Sequence, residues 1–262
     1  MSALAHRICY EDIRGTVGYS GHQIKDSEAF RLYLGDSVRS RLEDADQTET
    51  FHADLRALAT TEMASTTLSA LMSSTITRQA WEVGEALAEC LLHDTVQAHW
   101  PWNTERDKRT PKASLPGADL VGFVRVEGQI HLLLGEVKTS SDPNSPPNVM
   151  HGRGGMVRQP EQLAAHRGMD RTLLSWLHTR CKGTEYWPMF QEATSHYLRT
   201  GGKCVVLYGV LLRDTSPCEQ DLDSRAEALA KGMTDSGGAV LQAWYLPIEI
   251  DRWPSLIGEG SP

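Results

Sequence analysis

One stretch, from Lys203 to Leu212, constrains the fold of this chain more than any other part of its sequence. It reads Lys-Cys-Val-Val-Leu-Tyr-Gly-Val-Leu-Leu and is almost continuously apolar. A strand with one solvent-facing side alternates apolar and polar residues, whereas a strand covered on both sides does not. The stretch therefore predicts a buried strand within packed α and β layers. It is also far shorter than the roughly 20 apolar residues of a membrane-spanning helix.

The elements around this strand predict a mixed α/β fold. A hairpin of two strands, Ala118–Val126 and Ile130–Lys138, is joined by a tight turn at Glu127-Gly128-Gln129. The pattern further indicates helices over Thr77–His93, Gly155–His178, Tyr186–Arg199 and Cys218–Lys231, a possible short strand over Val96–Trp100 and a last strand over Ala239–Ile250. From Thr77 onward the order is helix, three strands, helix and strand, with additions.

The first 75 residues are predicted to form a helical N-terminal region. Candidate helices cover Asp26–Leu42 and Phe51–Leu71. A chain of 262 residues can form one large domain or two small ones. We divide it into the N-terminal region at 1–75, interpreted as a partner or regulatory surface, a core at 76–250 and a C-terminal tail at 251–262.

Composition limits the compartment and the chemistry. With 40% hydrophobic and 23% charged residues, the chain is of globular rather than disordered type. Its N-terminus reaches Glu11 and Asp12 without a hydrophobic run, which predicts no signal peptide and a cytoplasmic protein without membrane contact. The five cysteines form no Cys-x-x-Cys pair, and the ten histidines include no His-x-x-x-His pair and none beside a cysteine at ligand spacing. These spacings argue against a disulfide scaffold and a zinc ribbon.

Charge is distributed unevenly along the chain, whose formal net charge is −8. Residues 1–99 carry eight basic and fifteen acidic side chains, which suits a protein partner better than DNA. Residues 151–184 carry six basic and two acidic side chains, as a phosphate-binding face requires, although a solvated helix gives the same pattern. The candidate nucleic-acid-binding residues are Arg153, Arg158 and Arg167 in this segment and Arg106 and Arg109 before the hairpin.

Three charged residues of the hairpin form the strongest candidate site. Asp119 opens its first strand, and Glu136 and Lys138 close the second. Side chains at i and i+2 of a strand lie on one face, and an antiparallel hairpin brings Asp119 beside Glu136. Two carboxylates suit Mg²⁺, which prefers oxygen ligands and can activate a water for attack on a phosphate. The lysine can orient that water and stabilise the developing charge.

The Glu136-Val137-Lys138 triplet indicates a functional site more specifically here than it would in a chain of average composition. Of the seven lysines, only Lys138 follows an acidic residue by two positions, and the triplet ends a hydrophobic strand. The competing interpretation is a salt bridge at a sheet edge, without a metal.

The helix before the hairpin supplies a fourth candidate, Glu85. On a helical wheel it lies beside the apolar stripe through Trp81 and Ala88, whereas Glu82 and Glu89 lie farther toward the polar side. We therefore expect Glu85 near the metal or its waters, with Glu82 and Glu89 as the alternatives. A solvated helix glutamate is the competing interpretation.

Together, the helix with Glu85, the sequence Pro116-Gly-Ala-Asp119 and the triplet Glu136-Val137-Lys138 resemble the PD-(D/E)xK nuclease superfamily over residues 77–212. The resemblance implies a restriction-endonuclease-like α-β-β-β-α-β core that cuts phosphodiesters with Mg²⁺ or Mn²⁺. It implies that Asp119, Glu136 and the Val137 backbone carbonyl ligate the metal, that Lys138 serves the attacking water and that Glu85 supports the site. The chain departs from the motif at Ala118, where the name of the superfamily has proline.

Two further features extend the resemblance. Gln162 with His166 is similar to the Gln-x-x-x-Tyr pattern of the RecB-like branch, with histidine in place of tyrosine, and Gln159 is an equal candidate. The layout, with a helical region before a compact core, also resembles the nuclease subunits of Hachiman-type antiphage defence systems. That resemblance implies a bacterial defence effector with a separate helicase as its partner.

The sequence as a whole predicts a metal-dependent nuclease that hydrolyses DNA. The alternative is a non-catalytic nuclease-fold subunit that binds nucleic acid within a larger complex. ATP hydrolysis by the chain itself is not expected, because it contains no Gly-x-x-x-x-Gly-Lys-Ser/Thr loop.

Overall fold

A computed structural model describes residues 3–72, 78–107, 118–151, 171–202, 204–233 and 238–258 of the chain. Its centre is one six-stranded mixed sheet. The strands are β1 (Arg7–Arg14), β2 (Val17–Gln23), β3 (Leu120–Val126), β4 (Gln129–Ser140), β5 (Val205–Arg213) and β6 (Ala239–Tyr245). Their order across the sheet is β1-β2-β6-β5-β4-β3, with β2, β6, β5 and β4 parallel to one another and an antiparallel hairpin at each edge.

The described residues form ten α-helices. They are α1 (Ser27–Tyr33), α2 (Arg39–Glu43), α3 (Ala45–Leu58), α4 (Glu62–Met72), α5 (Ala80–Val96), α6 (Thr104–Asp107), α7 (Arg171–Cys181), α8 (Trp187–Arg199), α9 (Asp223–Gly232) and α10 (Trp253–Gly258). A π-helical segment, Leu34–Val38, joins α1 to α2, and short 3₁₀ turns lie at Asn148–Met150, Glu219–Asp221 and Ile250–Arg252. None of the helices in the described part of the chain is long and apolar enough to cross a membrane.

Two hydrophobic cores sandwich the sheet and confirm the mixed α/β prediction. One core joins α1, α5 and α10, through residues such as Phe30, Leu87 and Trp253. The other joins α7, α8 and α9. The central strand β5 is buried along almost its whole length, because both cores cover it, as the apolar run predicted.

The N-terminal region differs from the helical prediction, because it begins with the hairpin of β1 and β2. Strand β2 pairs with β6 along its whole length, so the sheet continues through it. The sequence concealed these strands because β1 is mostly exposed, while β2 contains Gly18, Ser20 and Gly21 instead of a clear apolar alternation. Their burial comes from β6 and α9, which are more than 200 residues away in the chain. The helical prediction holds from Ser27 onward.

Three further boundaries differ from the predictions. The last strand ends at Tyr245 instead of Ile250, and Pro247, which lacks a backbone donor, follows shortly. The possible strand over Val96–Trp100 is reduced to a single bridge between His99 and Phe123. The predicted C-terminal tail contains α10, whose Trp253 is fully buried in the first core.

Candidate metal centre at the ends of β3 and β4

The β3–β4 hairpin sets the geometry of the candidate site. Its turn consists of Glu127 and Gly128, which both have positive φ, at 49° and 84°. Two-residue turns of this kind match the twist of antiparallel strands and fix their register. The register runs without a shift from Val126 opposite Gln129 to Leu120 opposite Gly135. Continued by one residue, it places Asp119 opposite Glu136.

Asp119 binds the backbone of β4 directly. The Val137 backbone N–H donates to Asp119 Oδ2 over 2.9 Å. Strand β3 begins at Leu120, so no residue of β3 lies opposite Val137 to accept this hydrogen bond, and the Asp119 carboxylate takes that place. The N–H and C=O of one strand residue point to the same side. The Val137 carbonyl therefore points toward the side on which Asp119 lies.

Glu136 is the most buried member of the group, with 2% of its surface exposed. The Lys138 ammonium donates to Glu136 Oε1, and its own side chain keeps 21% exposure. Burial and the adjacent Asp119 carboxylate raise the pKa of Glu136 from 4.5 to about 7, against the opposing effect of Lys138. The structure thus brings Asp119, Glu136 and Lys138 together and leaves two carboxylates in unfavourable proximity.

This arrangement fits a hard divalent cation. The available donors are the two carboxylates and the Val137 carbonyl, and all of them are oxygens, which Mg²⁺ and Mn²⁺ prefer. A dication between the carboxylates would favour their ionised forms and so oppose the rise in the Glu136 pKa that burial and the Asp119 carboxylate cause. A salt-bridged sheet edge accounts for Lys138, and the hydrogen bond from Val137 accounts for Asp119, so the cation is a proposal that rests on how close the two carboxylates lie.

Glu136 and Lys138 face the core formed by α7, α8 and α9. Their strand neighbours Leu132 and Leu134 belong to that core, and side chains alternate along a strand without a register shift. The intervening Val137 belongs to the core that contains α5. The α5 helix therefore covers the opposite face of β4 from Glu136.

Glu85 lies on α5 and is half-buried. It lines a small cleft with Arg41, Glu82, Glu89, Asn103 and Glu105. The alternative Glu82 caps α5 by accepting from the Gln79 backbone N–H over 2.8 Å, and Glu89 forms an ion pair with Arg41. Both alternatives are buried, so their predicted place toward the polar side of α5 is wrong, because ion pairs and a capping hydrogen bond let these carboxylates lie inside. The role of Glu85 at the metal stays a prediction.

α5 comes close to the end of β4 beside Gly84. A Cβ atom added to this glycine would lie 2.4 Å from Thr139 Oγ1, so no larger residue fits there without a shift. Gly84 therefore fixes how closely the helix approaches the strand end, three residues beyond Glu136.

The predicted nucleic-acid-binding residues fall into two groups. Arg106 is described, and it donates twice to Asp44, with both N–O distances at 2.7 Å. Its charge is therefore already neutralised in part. Outside the described residues lie Arg109, Arg153, Arg158 and Arg167, the catalytic candidate Gln162, and its companions Gln159 and His166.

Helix α7 lies in the described part of the basic segment, residues 151–184. Arg171 is exposed there and lines a surface groove with Trp176 and Arg180. The Arg180 guanidinium lies 5.8 Å from the Trp176 ring and forms an ion pair with Asp107. Because α7 packs on the core that Glu136 faces, these arginines lie over the same face of the sheet as the carboxylates.

A second group of metal-binding side chains lies elsewhere, in His131, His196 and Cys204. The sequence predicted no histidine or cysteine site, because its histidines and cysteines are not closely spaced. His131 is 65 residues from His196, and only the contact between β4 and α8 brings them together. No local spacing could have indicated this group.

Comparison of the chain with models of known protein families, with curated proteins and with solved structures finds no match.

Proposed function

We propose that this chain is a metal-dependent nuclease that hydrolyses DNA phosphodiester bonds, built on a restriction-endonuclease-like core. The observation that carries the proposal is the convergence of Asp119, Glu136 and Lys138 at one end of the β3–β4 hairpin. A buried carboxylate beside a second carboxylate is an arrangement that a divalent cation stabilises.

The residues of the site have separate roles in this proposal. Asp119, Glu136 and the Val137 carbonyl hold Mg²⁺ or Mn²⁺, which when bound lowers the pKa of a water and withdraws charge from the phosphate. Lys138, hydrogen-bonded to Glu136 yet partly exposed, orients the attacking water and stabilises the negative charge that develops on phosphate oxygens. Glu85 supports the site from α5, and Gln162 is the candidate on the segment after β4.

DNA would lie near the end of the β3–β4 hairpin and against α7, one of the helices that cover the Glu136 face of the sheet. The exposed Arg171 at the start of α7 supports this placement, as does the basic composition of residues 151–184. Contacts to phosphates carry no sequence information, so we expect binding that tolerates sequence and weakens with salt.

The partner in this proposal is a helicase of a bacterial antiphage defence system, and it docks on α3 and α4. Neither helix has a buried residue, and together they expose Phe51, Leu58, Met63 and Leu71, each by more than half of its surface. Exposed apolar side chains in such number on two helices favour a protein-binding surface.

Incubation of the purified protein with supercoiled plasmid and with linear single strands tests the activity. Parallel reactions contain Mg²⁺, Mn²⁺ or EDTA, and Glu136→Gln and Lys138→Met are compared with the surface control Glu227→Gln. Cleavage that needs metal and is lost in the first two variants alone is the expected result. A folded wild type that binds metal and DNA without cutting either substrate, alone or with its partner, would favour the non-catalytic binding subunit.

A further inference from the structure

Three potential ligands of a soft metal meet at the start of β4. His131 lies on β4, His196 near the end of α8, and Cys204 immediately before β5. One ring nitrogen of each histidine and the Cys204 sulfur lie within 4.8 Å of one another. The two imidazole rings are 4.7 Å apart between centroids and stand at 75° to each other, so they do not stack.

The hydrogen bond of His131 fixes which nitrogen is available. Its Nδ1 lies 3.1 Å from the Cys204 carbonyl oxygen. A carbonyl only accepts, so Nδ1 carries the proton and Nε2 keeps a free lone pair. Histidines that bind metals commonly donate their other ring N–H to a backbone carbonyl in this way, because the bond fixes the tautomer and the ring orientation.

His196 supplies the independent observation. Its Nδ1 is buried and has no hydrogen-bond partner within the part of the chain that the structure describes. Buried ring nitrogens in folded proteins are normally satisfied by protein or by ordered water, and an exception requires an explanation. A metal ion bound at Nδ1 would satisfy it.

We propose that His131, His196 and Cys204 bind Zn²⁺. Two imidazoles and a thiolate are the ligand types that zinc selects, and Mg²⁺ rejects them in favour of oxygen. The Cys204 sulfur is well placed for this role, since the residue is 7% exposed and lies against the core. A water completes the tetrahedron around the ion, and the Glu192 carboxylate, one turn before His196 on α8, adds negative charge nearby.

The zinc site is separate from the candidate nuclease centre. His131 and Glu136 are five residues apart on one strand, which corresponds to roughly 16 Å. The ion would tie the end of α8 to β4 and to the start of β5. Its role is therefore to hold the fold together, and its loss should lower stability before it affects chemistry.

Cobalt substitution tests the site. The full chain is stripped with a chelator, dialysed and titrated with Co²⁺, and then with Zn²⁺ while the melting temperature is followed. We expect one equivalent of Co²⁺ to produce a thiolate-to-cobalt charge-transfer band with the visible bands of tetrahedral cobalt, and Zn²⁺ to displace it and raise the melting temperature. Only a site with sulfur gives the charge-transfer band, so the Asp119–Glu136 centre cannot produce it.

Variants assign the ligands. Cys204→Ser should abolish the charge-transfer band, and His196→Ala should weaken Co²⁺ and Zn²⁺ binding by at least tenfold. Cys181→Ser, which alters another buried cysteine of the same core, should leave both unchanged. The proposal is overturned if folded wild-type protein gives no charge-transfer band, or if Cys204→Ser retains it. The wild-type titration decides the question even if a variant fails to fold.

Discussion

The two ends of β4 present opposite metal chemistry. At its C-terminal end, Glu136 joins Asp119 and Lys138 in a group whose potential ligands are all oxygens. At its N-terminal end, His131 joins His196 and Cys204, which offer nitrogen and sulfur. Hard cations select the first set and borderline-soft cations the second. One strand can therefore hold a reactive centre and a structural clamp without competition for the same ion.

The two ends of β4 also differ in the unfavourable feature that a bound metal ion would relieve. At the first end, burial and then the neighbouring Asp119 carboxylate raise the pKa of Glu136. The second has an unsatisfied buried nitrogen at His196 and no charge conflict of this kind. In the two proposals, a hard cation would offset the burial and repulsion of carboxylates at one end, and zinc would satisfy a buried imidazole nitrogen at the other.

The largest expected effect concerns the C-terminal end. Lys138→Met should reduce metal-dependent DNA cleavage by about 10²–10⁴-fold, because it removes the group that orients the water. Metal binding should remain, since the lysine is not a ligand. Single-turnover cleavage rates at saturating Mn²⁺ measure the effect, and Lys231→Met is the matched control on the surface. An unchanged rate in Lys138→Met would restrict Lys138 to a salt bridge.

Thermal stability measured with two ions and two variants distinguishes the two proposed metal sites of β4. At a zinc concentration a hundred times the dissociation constant, the ion should stabilise the chain by about 2.7 kcal/mol. Cys204→Ser should lose this stabilisation and retain that of Mn²⁺, whereas Glu136→Gln should show the reverse. Thermal unfolding with each ion measures all four combinations. Loss of both effects in either variant would mean that the two ends are coupled and not independent.

The pH dependence of stability sharpens the comparison further. Without metal, the folded pKa of Glu136 is about 7 against an ordinary value of 4.5, so the folded state binds more protons between these values. The stabilisation that the raised pKa of Glu136 gives the folded state is therefore lost as pH rises from 4.5 through 7. Burial lowers the pKa of His22 to about 4, which acts in the opposite direction, so wild type must be compared with Glu136→Gln.

The unfolding free energy of wild type minus that of Glu136→Gln should decrease as pH rises from 4.5 to 7. Saturating Mg²⁺ should remove the dependence, because the ion favours the ionised carboxylate. Denaturant unfolding at a series of pH values measures it. A difference independent of pH would show that burial and Asp119 together do not raise the pKa of Glu136.

The smallest effects concern the DNA-binding face. Arg171→Ala should reduce the slope of log affinity against log salt concentration by about one unit, as expected for the loss of one phosphate contact. Arg106→Ala should change the slope less, because Asp44 already pairs with this arginine. Fluorescence anisotropy with a labelled duplex measures both slopes. Equal slopes for Arg171→Ala and wild type would exclude α7 from the binding face.

The C-terminal end of β4 was accessible from sequence because its signals are local. A two-residue turn at Glu127-Gly128 and two short strands fix the register, and the register alone places Asp119 opposite Glu136. The mixed α/β class followed similarly from the apolar run of β5.

The features that could not be predicted from the sequence depend on contacts between residues far apart in the chain. The strands β1 and β2 carry too few apolar residues to reveal themselves and are completed by β6. His131, His196 and Cys204 are brought together by packing between elements far apart in the chain. Arg106 finds Asp44 across 62 residues, so its ion pair could not be expected from the basic loop in which it lies.

The most direct test of the central claim is a crystal structure with anomalous diffraction, from crystals soaked in Mn²⁺ with a trace of Zn²⁺. We predict a manganese peak between the carboxylates of Asp119 and Glu136, and a zinc peak among His131, His196 and Cys204. An Asp119–Glu136 pair without manganese, with the Lys138 ammonium as its sole counterion, would contradict the account and leave a salt-bridged sheet edge.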